Sequence, residues 1–257
     1  VEAKHPGDAA PEELAIREVN TGTYVFEAGP LLESLGRIGN DNVAGEYYIG
    51  DVLPLLRQNG GRVAAYRSAD RSANLGVNTR LELAEANRVA RRRILERHML
   101  AGVTIVDPGA AWVEAEVEIE PDATIEPGCV LRGATRIGGG AVVGPFTTLI
   151  DTVLGAGAVV RHSYLVECDV LDRCSVGPFA YIRPRTTLRE GAKAGAFVEV
   201  KGSDVGAGSK IPHLSYIGDA EIGEDANIGA GAITADWGGF RKRRPVIGDE
   251  VRSGVGT

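Results

Sequence analysis

The sequence predicts a mainly β protein whose larger part, residues 102–257, is a parallel β-helix, and two features support this. From Ile119 to Leu149 an aliphatic residue recurs at every sixth position. This period fits neither an α-helix nor the alternation of an ordinary strand, but it is typical of a solenoid built from short stacked strands. Many of the 35 glycines lie between these aliphatic positions, where a solenoid needs tight corners.

The six-residue period continues towards the C-terminus with small changes of register. It slips by one residue near Leu154, is kept at Val160 and Val166, and returns further along the chain. Gly, Asn and Asp between the aliphatic residues are expected at the corners, because they tolerate positive φ or cap turns with their side chains. The remaining inward-facing positions are expected to be Val170, Val176, Ile182, Leu188, Val205, Ile211, Ile217, Ile222 and Ile228.

The first hundred residues have a different pattern, in which short helical and extended segments alternate. Residues 22–27 and 61–66 have the alternation of strands, whereas 30–38 and 48–58 have helical patterns. We interpret residues 1–78 as the C-terminal part of an α/β domain.

Residues 79–101 are expected to form one helix that links the two regions. Apolar residues can cover one of its faces, and Gly102 and Pro108 would end it. Its arginines are expected on the solvated face, at Arg88, Arg91, Arg92, Arg93 and Arg97.

Composition excludes some classes of partner. A net charge of −7 gives no reason to expect nucleic acid or an anionic membrane as a partner. No apolar run approaches transmembrane length and no signal peptide opens the chain.

Cys129, Cys168 and Cys174 are expected to be core thiols, as in a cytoplasmic protein. Because Val1 is not an initiator methionine and Thr257 falls within a repeat, we expect a piece of a longer protein.

Several motifs together resemble one bacterial family in their order and spacing. They are AIREVNTGTY (15–24), EYYIGDV (46–52), GVNTR (76–80), GPFAYIRP (177–184) and the segment 195–231, which contains FVEVK and PHLSYIGDAEIG. They resemble the bifunctional N-acetylglucosamine-1-phosphate uridyltransferase and glucosamine-1-phosphate N-acetyltransferase, over essentially the whole chain. Hexapeptide repeats alone occur in many acyltransferases, so it is the motifs that make the resemblance specific.

This resemblance implies a left-handed β-helix assembled as a homotrimer, preceded by a Rossmann-like pyrophosphorylase domain. Handedness is implied by the family alone, because a six-residue period does not reveal it. In that family acetyl-CoA acetylates glucosamine 1-phosphate, and UTP then converts the product to UDP-N-acetylglucosamine and pyrophosphate. The family's glycine-rich nucleotide loop and first metal-binding Asp are expected before Val1, so the uridyltransferase site is expected to be incomplete here.

Three residues match the family's sugar-nucleotide site. Glu2 and Asn20 match ligands of the sugar, and Asn78 matches the Asn that helps to hold Mg²⁺. An amide oxygen is a suitable hard ligand for Mg²⁺, although a single one binds weakly. The alternative interpretation is that Asn20 is a turn residue and Asn78 a helix cap.

The acetyltransferase site is matched more fully. Acetyl transfer to an amine requires a base, and His213 in PHLSY matches the family's base; we hypothesise that Glu199 orients its ring. Fixed cations suit a sugar phosphate, although out of context they would be interpreted as solvated surface charges. By resemblance, the substrate-binding residues are Arg183, Lys201, Lys242, Tyr216 and Asn227.

Acetyl-CoA binding is implied at Ala230, which matches a family backbone contact, and at Asp236, Trp237 and Val255, where the sequence departs from the family. Asp236 and Trp237 replace an Asn-Tyr pair, and Val255 replaces a Ser, which removes a hydroxyl contact. A backbone N–H at Trp237 would still serve a developing oxyanion. Arg185 replaces the Gly of the family's Arg-Pro-Gly turn.

Two other functions compete with the acetyltransferase. A hexapeptide-repeat carbonic anhydrase would need three His per zinc, whereas the repeats contain only His162 and His213. A noncatalytic trimeric scaffold or sugar-phosphate binder with a decayed CoA site is suggested by the changes at Asp236, Val255 and Gly256.

Overall fold

The computed structural model describes residues 15–16, 18, 20–42, 45–234 and 244–256. The chain divides into two compact units, Val1–Leu83 and Ala84–Thr257. Each unit is described by itself below.

The described part of the first unit contains short helical segments. These are helix α1 (Ala28–Leu35), a 3₁₀ turn (Ile49–Asp51), helix α2 (Val52–Gln58) and a second 3₁₀ turn (Arg71–Asn74). The helical patterns predicted at 30–38 and 48–58 are therefore confirmed, with shifted ends.

The two strands predicted in this unit were wrong. Residues 22–27 and 61–66 form no strand, and no strand occurs elsewhere in the described residues before Thr104. Val25 is 98% exposed and Tyr66 is 94% exposed. An alternating segment becomes a strand only when a neighbour pairs with its backbone and covers one face, and neither segment has such a neighbour among the described residues.

Helix α3 (Arg80–Leu100) confirms the helix predicted over 79–101. Its start is a capping box: the Glu82 N–H donates to Thr79 Oγ1 at 3.2 Å, and the Thr79 N–H donates to Glu82 Oε2 at 2.7 Å. Two of its arginines pair along the helix surface, Arg88 with Glu85 and Arg92 with Glu96.

The second unit is a parallel β-helix with three sheets. All of its strand pairs are parallel, and up to β21 each strand pairs with the strand three places before or after it in the chain, whereas β22 pairs with β21. Sheet A contains β1 (Thr104–Ile105), β4 (Thr124–Ile125), β7 (Val142–Val143), β10 (Val159–Val160), β13 (Ser175–Val176), β16 (Lys193–Ala196) and β19 (Lys210–His213). Sheet B contains β2 (Trp112–Val113), β5 (Val130–Arg132), β8 (Thr148–Ile150), β11 (Tyr164–Val166), β14 (Tyr181–Ile182), β17 (Glu199–Lys201) and β20 (Tyr216–Gly218). Sheet C contains β3 (Glu118–Ile119), β6 (Arg136–Ile137), β9 (Val153–Leu154), β12 (Asp169–Val170), β15 (Thr187–Leu188), β18 (Asp204–Val205), β21 (Glu221–Ile222) and β22 (Val246–Ile247).

The aliphatic residues of the repeat form the core, as predicted. With the exception of Val166, those from Ile125 to Ile228 are buried, and Ile119 packs against them. One predicted position was wrong: Leu165 is buried inside the coil, whereas Val166 is only half-buried. The coil from Leu154 to its sheet partner Val170 is shorter than the 18-residue coil from Ile119 to Ile137, so the inward position moves back by one residue.

The corners only partly follow the prediction that Gly, Asn and Asp would form them. Gly and Asp do occupy many positive-φ positions, but so do Phe146, His162, Phe179 and Phe197. These four lie at the corner between sheets A and B, and successive ring centroids are 5.3–5.8 Å apart. These four residues therefore adopt a backbone conformation that is rare for bulky side chains, and their rings contact one another from coil to coil.

All three cysteines are buried free thiols, as predicted. Burial raises the pKa of Cys129 and Cys174 to about 11 and that of Cys168 to about 12. They are therefore inert core residues at neutral pH. Within the described ranges, no helix combines the length and apolar character needed to cross a bilayer.

Candidate active site

The outer face of sheet B brings together several of the predicted substrate-binding residues. Strands β14, β17 and β20 are neighbours, and Tyr181, Glu199 and Tyr216 lie side by side in register. Because side chains alternate along a strand, the residues that flank the buried Ile182 and Val200 face outward. Arg183 and Lys201 therefore share one outer face with Tyr216.

Two ion pairs connect neighbouring coils on this face. Arg183 Nη1 donates to Glu199 Oε1 at 2.8 Å, and Lys201 Nζ donates to Asp219 Oδ2 at 2.9 Å. The four residues Arg183, Glu199, Lys201 and Asp219 are called the charge ladder below. The hydrogen bond that Arg183 donates to Glu199 is the main reason that the pKa of Arg183 is raised. The ladder carries no net charge, since it holds two cations and two carboxylates.

The ring of Tyr216 lies over the backbone of Gly218. A Cβ atom at Gly218 would be 2.7 Å from Tyr216 Cε1 and from the phenolic oxygen, so the absence of a side chain there allows the ring to take this position. The Gly218 N–H in turn donates to Thr234 Oγ1 at 2.7 Å. The Tyr216 hydroxyl is thereby held close to the sheet surface.

His213 lies at the end of β19, next to the corner where the chain passes from sheet A to sheet B. It pairs in register with Ala196, its side chain is exposed, and Leu214 turns the chain towards Tyr216 with a φ of +47°. The buried Ser215 donates its hydroxyl to the His213 carbonyl oxygen at 2.8 Å. The backbone that carries His213 is therefore fixed three residues before Tyr216.

The hypothesis that Glu199 orients the His213 ring is not supported. The Glu199 carboxylate accepts from Arg183, and no hydrogen bond joins Glu199 to His213 in the part of the chain that the structure describes. The structure therefore assigns Glu199 to the cation rather than to the imidazole.

Asn227, Ala230 and Val255 lie on the last described coils. The Asn227 backbone bridges Lys210 on one side and Arg252 on the other, so Asn227 extends sheet A. The Gly256 N–H donates to the Ala230 carbonyl oxygen at 2.8 Å, which stacks the turn that contains Val255 on the turn that contains Ala230. The side chain of Val255 is 83% exposed.

Four predicted site residues lie outside the described residues. They are Glu2, Asp236, Trp237 and Lys242. The last three fall between the sheet C partners Ile222 and Ile247, which are separated by more residues than any other pair of partners in that sheet. Arg185 has a φ of +62°, so this arginine occupies the backbone conformation that suits the glycine expected there.

Asn20 and Asn78 belong to the first unit. The Asn20 side chain accepts from the Gly22 N–H at 3.0 Å, as a turn residue does. The Asn78 N–H donates to Glu82 at 2.7 Å and lowers the pKa of that carboxyl, but Thr79, not Asn78, provides the side-chain cap. Among the described residues no group of three His, Cys, Asp or Glu could hold a metal ion. The described residues therefore do not by themselves fit a Mg²⁺ site.

Sequence reasoning missed two residues on the face of sheet B. Tyr181 lies under the Arg183 guanidinium, whose carbon is 5.7 Å from the ring centroid. Asp219 pairs with Lys201 from the next coil. The position of Tyr181 two residues before Arg183 could have indicated a shared face, whereas the position of Asp219 depends on the length of the intervening coil.

Among the described residues, the Arg183–Glu199 pair on the face of sheet B is partly exposed, with side chains 37% and 38% accessible to solvent. Two surface cavities of this unit lie elsewhere: one on sheet C beside Arg136 and Leu154, and one beside Arg97 and His98. Neither is lined by a charge-ladder residue, by His213 or by Tyr216.

The fold and the polar face of sheet B define a hexapeptide-repeat β-helix protein with a candidate anion-binding surface. Comparison with curated proteins specifies it further. The chain is 52% identical over 247 residues to the bifunctional protein GlmU of Kineococcus radiotolerans, a match that covers 96% of this chain and 50% of that protein. With the GlmU protein of Nocardia farcinica it shares 47% identity over 257 residues, which is 100% of this chain and 52% of that protein. The chain therefore belongs with the bifunctional GlmU proteins along its matched length, as its motifs indicated.

The chain spans about half the length of the curated relatives it matches. No family model matches it. Among solved structures, it resembles a Francisella novicida UDP-N-acetylglucosamine acyltransferase with 14% identity and a TM-score of 0.29, over 52% of this chain and 63% of that one. It also resembles the acetyltransferase domain of PglB from Neisseria gonorrhoeae, in complex with acetyl coenzyme A, with 17% identity and a TM-score of 0.22, over 65% of this chain and 63% of that one.

Proposed function

We propose that the β-helix carries an acetyl-CoA-dependent N-acetyltransferase site for glucosamine 1-phosphate. One observation supports this most directly: Arg183, Lys201 and Tyr216 share the outer face of sheet B, and His213 lies at the adjoining corner. The relation to the GlmU proteins gives these residues their proposed roles.

In this proposal the sugar phosphate binds along the charge ladder. A phosphate dianion needs fixed cations and directed donors, which Arg183 and Lys201 supply. Each cation already donates to one carboxylate, yet a guanidinium and an ammonium both have further N–H groups to offer. Tyr216, Asn227 and Lys242 complete the proposed contacts to the sugar phosphate.

The proposed chemistry is direct acetyl transfer. His213 takes a proton from the ammonium group of glucosamine 1-phosphate, because only the neutral amine has a lone pair for attack. The amine nitrogen then forms a bond to the thioester carbon and loses its second proton as the carbon–sulfur bond breaks, and the departing CoA sulfur takes up that proton and leaves as the thiol. Ala230, Asp236, Trp237 and Val255 are the proposed acetyl-CoA residues, with the Trp237 N–H as the proposed oxyanion donor.

We also propose that the protein acts as a homotrimer in the cytoplasm. A charged substrate needs a partly desolvated cleft, whereas among the described residues of one chain the Arg183–Glu199 pair on the face of sheet B is partly exposed to solvent. A second copy placed against this face would enclose it. The proposal does not extend to uridylation with UTP and Mg²⁺, because the described surroundings of Asn20 and Asn78 offer no support for it.

The decisive experiment measures release of CoA thiol from acetyl-CoA in the presence and absence of glucosamine 1-phosphate. The wild-type chain is compared with His213→Ala and with His162→Ala, which removes the other histidine of the repeats. We expect His213→Ala to lower kcat by at least about 100-fold and His162→Ala to stay near wild type. Sedimentation of all three proteins checks that assembly is unchanged.

Two results would contradict the proposal. Sugar-phosphate-dependent release that is equal in wild type and His213→Ala would reject His213 as the base. No release from a wild-type protein that sediments as a trimer would reject the acetyltransferase itself.

A further inference from the structure

We propose that Asp219 is a positioning residue of the sugar-phosphate site, whose carboxylate fixes the Lys201 ammonium where the phosphate binds. This inference rests on the proposed function and adds a residue to its site. Asp219 lies within the PHLSYIGDAEIG motif, but the resemblance gave it no role.

The first argument is the geometry of the pair. Lys201 Nζ and Asp219 Oδ2 are 2.9 Å apart, and the two side chains are only 26% and 27% exposed. The other ion pair of the charge ladder, Arg183 with Glu199, is more exposed on both sides. An ion pair that is partly removed from water is screened less, so it restrains its lysine more strongly than a surface pair does.

The second argument is that the backbone fixes the position of the carboxylate. Asp219 is a corner residue with a φ of +48°, and its N–H donates to the Lys201 carbonyl oxygen at 2.7 Å. Asp219 therefore lies on the next coil, directly beside Lys201. A Cβ atom at Gly202 would be 2.6 Å from Asp219 Oδ1, so the glycine after Lys201 leaves the space that the carboxylate occupies.

The third argument is the flexibility of lysine. A lysine side chain has about 2 kcal/mol of rotamer entropy to lose when it is fixed. Arg183 is restrained by Glu199 and by the ring of Tyr181, whereas the Lys201 ammonium is restrained by its hydrogen bond to Asp219. If Asp219 already fixes the ammonium before the substrate arrives, this entropy cost does not weaken the binding of the substrate. One N–H of the ammonium serves Asp219 and the others remain for the phosphate.

The test is Asp219→Asn, which keeps the shape of the side chain and tolerates positive φ. We expect the KM for glucosamine 1-phosphate to rise about fivefold, which corresponds to about 1 kcal/mol. We expect kcat and the KM for acetyl-CoA to stay within about twofold of wild type. The matched control is Asp204→Asn, which breaks the Arg189–Asp204 pair on sheet C, with its contacts of 2.8 and 2.7 Å, and should leave every constant unchanged.

A double-mutant cycle with Lys201→Ala separates positioning from a general structural role. If Asp219 acts through Lys201, Asp219→Asn should change the KM little further in the Lys201→Ala background. Equal effects in both backgrounds would overturn the inference, and so would an unchanged KM in an active Asp219→Asn variant. Absence of turnover in wild type would instead overturn the proposed function, and this inference with it.

Discussion

The β-helix and the region before it bury apolar residues to very different extents. In the β-helix Ile125, Ile182 and Ile217 are completely buried, and residues like them recur on every coil. In the described residues before helix α3, Val52 is completely buried, but Val25 and Tyr66 are almost fully exposed. The two regions therefore differ less in the presence of apolar residues than in whether those residues find neighbours.

This difference follows from how each architecture closes its core. The core of one β-helix coil is closed by the coils above and below it. In most places each neighbouring coil is formed by the next 16 to 18 residues of the chain. A strand of an α/β sheet needs partners that lie far away in sequence. Periodicity is consequently sufficient to predict the first architecture and insufficient for the second.

The largest effect that would test this comparison comes from emptying the core of a coil. Ile182→Ala should lower the free energy of unfolding by about 3–5 kcal/mol, because it leaves a cavity between sheets that cannot collapse easily. Val25→Ala, the matched change at a residue that is 98% exposed, should change it by less than about 0.5 kcal/mol. Urea unfolding monitored by circular dichroism measures both. Similar losses for the two variants would show that residues 20–42 have a core of their own.

A smaller effect should come from the hydrogen bonds that connect one coil to the next. The fully buried Ser209 hydroxyl donates to the Gly223 carbonyl oxygen at 2.6 Å and accepts from the Ala226 N–H at 2.8 Å. Ser209→Ala should cost about 1–3 kcal/mol, since it leaves a buried N–H without its acceptor. Ser68→Ala, which removes an exposed hydroxyl that bonds Asp70, should be nearly neutral. The same urea titration compares them, and a neutral Ser209→Ala would mean that water replaces the lost hydroxyl.

Sequence predicted the β-helix nearly residue by residue, and its errors have physical causes. Val166 was predicted to face inward in place of Leu165 because a six-residue count cannot detect where one side of a coil has five residues instead of six. The corner column of Phe146, His162, Phe179 and Phe197 was also missed. Positive φ normally indicates Gly, Asn or Asp, and ring contacts between coils are invisible until the register is known.

The candidate site was predictable to a similar depth. Family motifs identified Arg183, Lys201 and Tyr216, and the structure places all three on one sheet face. They could not identify the carboxylates that hold the cations, because the Lys201–Asp219 contact depends on how two coils stack. Residues 236, 237 and 242 lie outside the described residues, so their roles remain predictions from the resemblance.

The smallest expected effect concerns His98, which lies near the end of α3 and is 6% exposed, with no hydrogen-bond partner for Nε2 among the described residues. Burial, with a further contribution from Arg97, lowers its pKa. In the unfolded chain a histidine titrates near pH 6.5, so between that pH and the lower folded pKa the unfolded state binds more protons. The stability contributed by neutral His98 is therefore complete above about pH 6.5 and is lost as the pH falls through this window.

His98→Leu should remove this part of the pH dependence. Urea midpoints at pH 7.5 and pH 5.5 should differ less in the variant than in wild type, while His162→Leu, at a less buried histidine, should retain the wild-type difference. Arg97, Glu116 and Glu118 line the same cavity as His98, and they are unchanged in the variant. An equal pH dependence in His98→Leu and wild type would mean that water or one of these carboxylates stabilises the protonated imidazole in the folded protein, so that its burial is not the cause.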